Sequence, residues 1–288
     1  MSPLRVEPLN APFGARVTGL DLTTEFSVET QEAIREAIDT WSLLCFDKQP
    51  MTDEAHLALT RRLGEQEVAR VTVDSTGKAA RFITIGNVHD AGNVQNSAHA
   101  RIRYQTGNEL WHSDSSFRRV PSFVTITHAY EVPGEGGETS FASMRHAYAG
   151  LPPDRRELID PLHAIHDFVF SRAQAAPVDP IHAASLPPVE HKLVRTNPGN
   201  GLKNYFVGSH ARSIVGWTGV ESRKLLDDLL ERATVPEDVY QHRWHAGDTL
   251  IWDNRCLLHR GNGYDADRWR RRLRQTRVAG ACPTLKEP

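Results

Sequence analysis

Three segments of the chain repeat apolar residues at the spacing of an amphipathic α-helix. They span 27–41, 52–63 and 220–233, and the first places Ala, Ile and Trp at i, i+3 and i+4 positions along one face. A polar residue that favours helix starts stands at or just before the first position of each segment, and Thr218 with Glu221 forms a capping-box pattern before the third. The pattern therefore predicts three helices, each with one buried face.

Short runs rich in β-branched and aromatic residues occupy much of the remaining chain, mainly in its second two-thirds. The predicted strands are 14–22, 42–46, 82–85, 123–130, 164–170, 193–195, 204–207, 240–244, 249–252 and 273–278. The Asn-Pro-Gly-Asn-Gly segment at 197–201 predicts a hairpin turn, because Asn-Gly adopts the positive φ angles that such turns need. Strands and helices do not alternate regularly, so we predict a mainly β fold with helical insertions, an antiparallel sandwich or jelly roll.

A polar stretch at about 89–109 interrupts this pattern. It is rich in Gly, Asn, Ser and His and has few apolar residues. Loops of this length inside a compact domain commonly act as lids over a site or are disordered. Because no repeat, low-complexity tract or linker divides the chain, we predict a single domain over 1–288 with a lid-like loop at about 89–109.

Composition narrows the classes of partner. The 288 residues carry 34 Lys+Arg and 36 Asp+Glu, a net charge of −2, which does not suit a dedicated nucleic-acid binder. The apolar run at 43–46 is far shorter than the roughly 18 residues of a membrane span, and the N-terminus has no apolar signal core. Three cysteines without a CxxC pair suit a reducing compartment. We therefore expect a cytoplasmic protein that acts on small molecules, not on nucleic acid or membranes, and a homo-oligomer is left open.

Histidine is in excess, with 14 residues, and two of these lie in a pattern that suits a metal. His112 and Asp114 are separated by one residue, so in an extended chain both side chains point to the same side. His259 ends an apolar run, Cys-Leu-Leu, at a turn bounded by glycine. Two histidines and one carboxylate on one face of an octahedron leave three positions open, which is the arrangement of non-haem Fe(II) oxygenases. Taken alone, an H-x-D pattern is often a chance occurrence, and a lone histidine is more often a core or surface residue.

Two arginines downstream of His259 add to this interpretation. Arg270 and Arg274 are separated by an even number of residues, so a strand over 270–278 would present both on one face. A hairpin turning at 261–267 would return that face toward the metal. Guanidinium groups bind carboxylates through two parallel hydrogen bonds, and 2-oxoglutarate carries a carboxylate at its far end. A basic strand that only faces solvent would not need this register.

With these motifs in place, the sequence resembles the taurine dioxygenase / 2,4-dichlorophenoxyacetate dioxygenase family of Fe(II)/2-oxoglutarate enzymes, and especially its aryloxyacetate-cleaving branch. The matching segments are LWHSDSSF at 110–117, GETSFASMRHAYAGLP at 137–152, VRT at 194–196, GSHA at 208–211 and HRWHAGDTLIWDNRCLLHRG at 242–261. The resemblance extends from about residue 8 to residue 279. It implies a double-stranded β-helix, which is a jelly roll, and it implies that His112, Asp114 and His259 bind the iron.

The resemblance also implies roles for residues around the metal. Thr139 and Arg270 match the threonine and arginine that bind the far carboxylate of 2-oxoglutarate. Arg274 matches the arginine that binds the acidic group of the primary substrate, and His210 matches a histidine beside the substrate carboxylate. Asn197 stands where the aryloxyacetate enzymes carry a histidine, so it is a substrate-binding candidate that brings no charge.

A second departure concerns a basic residue of those enzymes that aligns with Thr72. Both departures touch substrate recognition and leave the residues expected at the iron and 2-oxoglutarate sites unchanged. We therefore expect an Fe(II)- and 2-oxoglutarate-dependent dioxygenase that uses O₂. Its expected substrate is a small organic acid, favoured to be an aryloxyalkanoate such as 2,4-dichlorophenoxyacetate, giving a phenol and glyoxylate with succinate and CO₂.

Three alternatives stay open at this level. The substrate can instead be a sulfonate or sulfate ester such as taurine, since one arginine does not choose among acids. Aromatic residues near the motifs, Trp111, Phe117 and Trp217, favour an aryl group. A zinc hydrolase with the same three ligands is disfavoured because its sites are usually richer in histidine. A binding protein without turnover would not need open coordination positions.

Overall fold

The computed structural model describes residues 4–67, 80–88 and 92–287, so Thr72 and the first residues of the polar stretch lie outside it. The strands of the described part are β1 (Arg5–Pro8), β2 (Ala15–Thr18), β3 (Leu43–Phe46), β4 (Ile83–Ile85), β5 (Ser122–Glu131), β6 (Thr139–Ser143), β7 (His163–His166), β8 (Val189–Lys192), β9 (Val194–Thr196), β10 (Lys203–Tyr205), β11 (Ala211–Ile214), β12 (Tyr240–His242), β13 (Thr249–Asp253), β14 (Leu257–Gly261) and β15 (Arg272–Ala279). The helices are α1 (Val28–Trp41), α2 (Asp53–Leu63), α3 (Ala100–Gln105), α4 (Met144–Ala149), α5 (Pro153–Ile159), α6 (Phe168–Arg172), α7 (Pro180–Ser185) and α8 (Gly219–Ala233), and 3₁₀ turns lie at Thr106–Glu109, Pro236–Asp238 and Thr284–Lys286. Within these residues, no helix combines the length and apolarity that crossing a bilayer requires.

A seven-stranded sheet forms the framework of the fold. Its strand order is β1-β2-β3-β13-β5-β15-β4, and its neighbours are antiparallel except for β2 and β3. Helices α1 and α2 cover one face of this sheet, where Ile34 and Leu59 share a buried apolar cluster with Ile126 and Ile251. The opposite face is therefore left for a second layer.

That second layer is a three-stranded antiparallel sheet with the order β12-β6-β14. Phe141 of β6 meets Trp252 of β13 across the interface, with ring centroids 5.4 Å apart. A further three-stranded sheet, β11-β7-β8, and the two-stranded sheet β10-β9 complete the described part of the structure. The fold is thus mainly β with helical insertions, as predicted, and the seven-stranded sheet (the large sheet) faces β12-β6-β14 (the small sheet).

The three helices predicted from apolar spacing are all present. Ser27 caps α1, Thr52 caps α2, and Thr218 forms a complete capping box with Glu221 at the start of α8. The predicted hairpin at 197–201 is also present, because β9 and β10 pair antiparallel on either side of it.

Two predictions about the strands are wrong. The segment 164–170 is not one strand, since β7 ends at His166 and α6 follows. Asp167 causes this change, because its Oδ1 accepts a hydrogen bond from the amide of Phe170 at 3.1 Å and caps the helix. The chain after His259 does not return as a hairpin either, since β14 belongs to the small sheet and β15 to the large one.

The capping box of α8 allows a direct test of local stability. The Thr218 hydroxyl accepts from the amide of Glu221 at 3.3 Å, and the Glu221 carboxylate accepts from the amide of Thr218 at 3.1 Å. Thr218→Ala removes the first bond, so we expect the free energy of unfolding to fall by about 1 kcal/mol in urea titrations. Thr218→Ser keeps the hydroxyl and is the matched control. An equal fall in the free energy of unfolding in both variants would show that the hydroxyl hydrogen bond does not stabilise the helix.

Candidate active site

His112 and His259 are joined directly through their backbones where the small sheet meets the large one. The amide of His112 donates to the His259 carbonyl at 3.0 Å, and the amide of His259 donates to the His112 carbonyl at 2.8 Å. This reciprocal pair places the imidazole centroids 4.2 Å apart. Nδ1 of His112 lies 2.7 Å from the Leu110 carbonyl, which can only accept, so Nδ1 carries the proton. Its Nε2 is therefore left with a lone pair for a metal.

Asp114 completes the group from the side of the large sheet. Its carboxylate accepts from Thr125 Oγ1 at 2.7 Å, Gln275 Nε2 at 3.0 Å and Arg277 Nη2 at 2.6 Å. Ligand atoms of His112, Asp114 and His259 all lie within 4.8 Å of one another, and all three residues are buried. The structure thus brings together the three residues that the sequence predicts as metal ligands.

Electrostatics keep these groups in the protonation states that metal binding needs. Burial lowers the pKa of His112, and burial followed by the neighbouring His112 lowers the pKa of His259 to about 3. Burial would raise the pKa of Asp114, but Arg277 and the two histidines outweigh it and lower that pKa to about 2. At neutral pH the site therefore offers two neutral imidazoles and one carboxylate. This donor set, closely spaced and mixed in nitrogen and oxygen, fits a divalent iron ion.

A cavity of about 410 Å³ opens beside the three residues. Aromatic rings from several elements line it, among them Phe117, Phe168, Trp244 and Trp252. Its only acidic lining residue in the described part of the chain is Asp114, whereas five arginines line it: Arg101, Arg118, Arg172, Arg271 and Arg277. A space with apolar walls and this excess of positive charge suits organic anions.

Thr139 and His210 lie where the sequence predicts, on the wall of this cavity. The Thr139 hydroxyl, at the start of β6, accepts from Trp244 Nε1 at 2.9 Å. The His210 ring lies 6.2 Å from that of His112 and 4.9 Å from that of Phe117, measured between centroids. Nδ1 of His210 is 3.0 Å from the Ser116 hydroxyl. Both residues can therefore reach a molecule bound in the cavity.

Arg270 and Arg274 do not line the cavity, which corrects the prediction made from their spacing. Arg270 is half exposed and donates from Nε to Glu131 at 2.6 Å. Arg274 forms an ion pair with Asp53 beside α2. The cavity instead receives the alternate residues of the same stretch, Arg271, Leu273, Gln275 and Arg277. Alternate residues of this stretch do share a face, as predicted. The face that meets the cavity is shifted by one residue, so it does not carry Arg270 and Arg274.

Asn197 also lies away from the cavity wall. It is buried in the turn between β9 and β10, where its Oδ1 accepts from the amide of Gly199 at 2.8 Å. This contact is an Asx-type turn bond, which explains an asparagine at this position without any substrate. The prediction that Asn197 binds substrate is therefore not supported by the geometry.

Sequence reasoning missed Arg271, Arg172 and Gln275 in the cavity wall. The sequence does contain one indication of which face meets the cavity. Leu273 shares a face with Arg271 and Gln275, and an apolar residue is expected on the buried face of a strand. Arg172 gave no such signal, because the predicted strand 164–170 covers the first three residues of α6 and ends before Arg172.

Comparison with known proteins identifies the family. Residues 5–277 match the model of the "Taurine catabolism dioxygenase TauD, TfdA family". The chain is 38% identical over 273 residues to the alpha-ketoglutarate-dependent 2,4-dichlorophenoxyacetate dioxygenase of Cupriavidus pinatubonensis, covering 93% of this chain and 95% of the relative. It is 33% identical to the (S)-phenoxypropionate/alpha-ketoglutarate-dioxygenase of Sphingobium herbicidovorans, covering 97% and 96%.

A solved structure is similar over nearly the whole chain. The crystal structure of AAD-2 in complex with Mn(II) and N-oxalylglycine superimposes with a TM-score of 0.89 at 32% identity, covering 99% of both chains. The resemblance inferred from the sequence motifs is therefore confirmed. The chain belongs to the TauD/TfdA family and is a 2-oxoglutarate-dependent non-haem iron dioxygenase, which uses Fe(II), 2-oxoglutarate and O₂.

Proposed function

We propose that the protein oxidises an aryloxyalkanoate such as 2,4-dichlorophenoxyacetate. Hydroxylation of the carbon next to the ether oxygen would split the substrate into a phenol and glyoxylate, while 2-oxoglutarate and O₂ yield succinate and CO₂. The observation that carries this proposal is the cavity itself, which joins the His112–Asp114–His259 group to aromatic walls and five arginines. An aryl ring and a carboxylate are the two features that such a space would recognise.

His112, Asp114 and His259 would hold the iron in this proposal. Fe(II), when bound, supplies the oxidising chemistry that couples O₂ to the decarboxylation of 2-oxoglutarate. The protein supplies neutral imidazoles, an ionised carboxylate and a fixed geometry. Thr125 and Asn254 support that geometry, because Thr125 donates to Asp114 at 2.7 Å and Asn254 Oδ1 accepts from the Asp114 amide at 3.2 Å.

Thr139 and Arg271 would bind the far carboxylate of 2-oxoglutarate. Arg271 replaces Arg270 in this role because Arg271 is buried and lines the same cavity as Thr139. Its Nη2 donates to the Gly137 carbonyl at 2.9 Å, while its Nε is buried without a partner. Burial lowers the pKa of Arg271 to about 10, so the guanidinium stays charged at neutral pH. A bound carboxylate would satisfy both its charge and its unpaired donor.

His210 would contact the substrate beside the metal. Burial and the nearby His112 and Arg172 keep the pKa of His210 well below its usual value, so the ring is neutral. A neutral imidazole held against Phe117 can hydrogen-bond a carboxylate or ether oxygen without adding charge. The neighbouring aromatic walls would receive the aryl ring.

The proposed function also implies a specific fold. We infer that the two facing sheets form a double-stranded β-helix and that the chain is one dioxygenase domain. The described part of the polar stretch is not only loop, since it contains α3 and the 3₁₀ turn Thr106–Glu109. Tyr104 and Asn108 from this segment line the cavity, as a lid would.

Succinate release across a panel of acids tests the function. The protein is incubated with Fe(II) and 2-oxoglutarate, and phenoxyacetate, 2,4-dichlorophenoxyacetate, 2-phenoxypropionate, taurine and an alkyl sulfate are compared. We expect the aryloxyalkanoates to stimulate succinate release, with phenol formed in equal amount. A preference for taurine or the alkyl sulfate would show that the substrate is a sulfonate or sulfate ester and not an aryloxyalkanoate. Turnover with zinc in the absence of 2-oxoglutarate would overturn the proposal.

A further inference from the structure

Arg172 lies on the cavity wall but has no role in the function proposed above. It is the last residue of α6, and its guanidinium carbon lies 4.5 Å from the ring centroid of Tyr104 and 5.5 Å from that of Phe168. These rings hold the guanidinium between the α3 segment and α6. The arginine is therefore fixed in place although it belongs to a short, irregular part of the fold.

The charge of Arg172 has no counter-ion among the residues that the structure describes. Its Nη1 donates to the Tyr104 carbonyl at 2.9 Å and its Nη2 to Asn108 Oδ1 at 3.5 Å, both neutral acceptors. Its Nε is buried without a partner, as is the hydroxyl of Tyr104. Within residues 4–67, 80–88 and 92–287, no carboxylate forms an ion pair with it. A partly buried cation in this state is costly unless a ligand supplies the missing negative charge.

Other arginines of the cavity differ in this respect. Arg277 donates to Asp114 at 2.6 Å, and Arg118 lies 3.4 Å from a Glu67 carboxylate oxygen. Arg271 resembles Arg172 in its unpaired Nε, but it is hydrogen-bonded to the Gly137 carbonyl near Thr139 in the chain and is assigned above to 2-oxoglutarate. Arg101 is held away from this role by hydrogen bonds to Gln95 Oε1 at 3.2 Å and to the Thr84 carbonyl at 2.8 Å. The reaction brings two organic acids into one cavity, and Arg172 is the group best suited to the second.

We propose that Arg172 and the hydroxyl of Tyr104 form the subsite for the carboxylate of the primary substrate. This inference rests on the proposed function and deepens it. It moves substrate recognition from the strand β15, where Arg274 was expected, to the α3 and α6 segments. Carboxylate oxygens accept charge-assisted hydrogen bonds, so an acid is preferred to the neutral ether alcohol of the same shape.

Gly107 determines where the Arg172 guanidinium can lie. A Cβ built on Gly107 would stand 2.0 Å from Nη1 and 2.8 Å from Cζ of Arg172. Gly107→Ala would therefore displace the end of a flexible side chain while leaving its charge in the cavity. Gly219, at the start of α8, has no atom within 4 Å of an added Cβ. Gly219→Ala is thus a matched control for the substitution itself.

Calorimetric binding without turnover tests the subsite. The protein is loaded with Mn(II) and N-oxalylglycine and titrated with phenoxyacetate or with neutral 2-phenoxyethanol. For Arg172→Met we expect phenoxyacetate to bind about 10- to 100-fold more weakly, because a charged hydrogen-bonding partner is lost. Gly107→Ala should weaken phenoxyacetate binding in the same direction, and Tyr104→Phe by about 3- to 10-fold. Binding of phenoxyethanol and N-oxalylglycine should not change.

The outcomes separate the two proposals. If the native protein neither binds nor oxidises any aryloxyalkanoate, the proposed function fails. If it does, and both Arg172→Met and Gly107→Ala keep the native affinity for phenoxyacetate, the subsite is wrong. Equal weakening of N-oxalylglycine would instead assign Arg172 to the co-substrate, and weakening by Gly219→Ala would show a general effect; either result overturns the inference.

Discussion

Asp114→Ala is expected to abolish turnover and to remove metal binding. Asp114 is the one carboxylate of the three-residue group, and its loss leaves two neutral imidazoles beside the guanidinium of Arg277, 2.6 Å from where the carboxylate oxygen was. A divalent ion would then face a positive charge with no negative ligand. Metal binding supplies several kcal/mol of rate enhancement, so turnover should fall by more than about 1000-fold.

Calorimetry with Mn(II) and succinate release measure the two effects of this substitution. Asp253→Ala is the matched control, because Asp253 is also fully buried and ion-paired to an arginine, Arg255 at 2.8 Å, but lies off the cavity wall. Both variants should lose stability, since each removes a buried carboxylate from an ion pair; Arg255 keeps its second partner, Asp39, at 2.6 Å. Only Asp114→Ala should lose Mn(II) affinity. Retained Mn(II) binding in that variant would mean that Asp114 is not a ligand.

The pH dependence of stability follows from the same ion pair. The pKa of Asp114 is lowered to about 2 in the folded protein, below the ordinary aspartate value. A carboxyl group with a lowered folded pKa stabilises the fold above its unfolded pKa of about 4 and loses that contribution as pH falls toward the folded value. Above pH 5 this contribution should therefore be constant.

Arg271→Met is expected to raise the apparent KM for 2-oxoglutarate by about 100-fold, because removing one partner of a buried charged pair costs several kcal/mol of binding. Arg270→Met is the matched control from the adjacent position. Its side chain is half exposed and paired to Glu131 at the surface, so its removal should leave stability nearly unchanged. The KM for 2-oxoglutarate should stay at the native value.

This pair of variants decides which face of the returning strand serves the co-substrate. Initial rates of succinate release at varied 2-oxoglutarate give both values, and calorimetry with N-oxalylglycine checks that the change is in binding. The opposite result, with Arg270→Met raising KM and Arg271→Met having no effect, would restore the register expected from the sequence.

The strand β15 shows why sequence spacing predicts a shared face but not which face. Arginines occupy both phases of the segment, and both faces are buried, since Thr276 on the outer face lies against Thr60 of α2 at 2.7 Å. Hydrophobic alternation therefore carries little information there. A register shift in the β5–β15 pairing between Arg272 and Leu273 adds a further irregularity that no local pattern predicts.

The metal group was easier to predict because its chemistry allows few alternatives. An H-x-D pair in extended chain and a distant histidine give the ligand set, and the structure needs only to bring them together. Long helices were also predictable from periodicity and caps. Arg172 was not, because five residues of helix after β7 depend on one cap, Asp167, within a run of apolar residues that equally suits a strand.

The backbone pairing of His112 with His259 should link metal binding to unfolding. His259 lies on the edge strand of the small sheet and holds His112 there, whereas Asp114 is anchored by Thr125 and Gln275 from the large sheet. An ion held by all three would act as a cross-link between the layers. Loss of metal and separation of the sheets would then be linked equilibria, so the melting temperature should rise with metal concentration as well as with substrate.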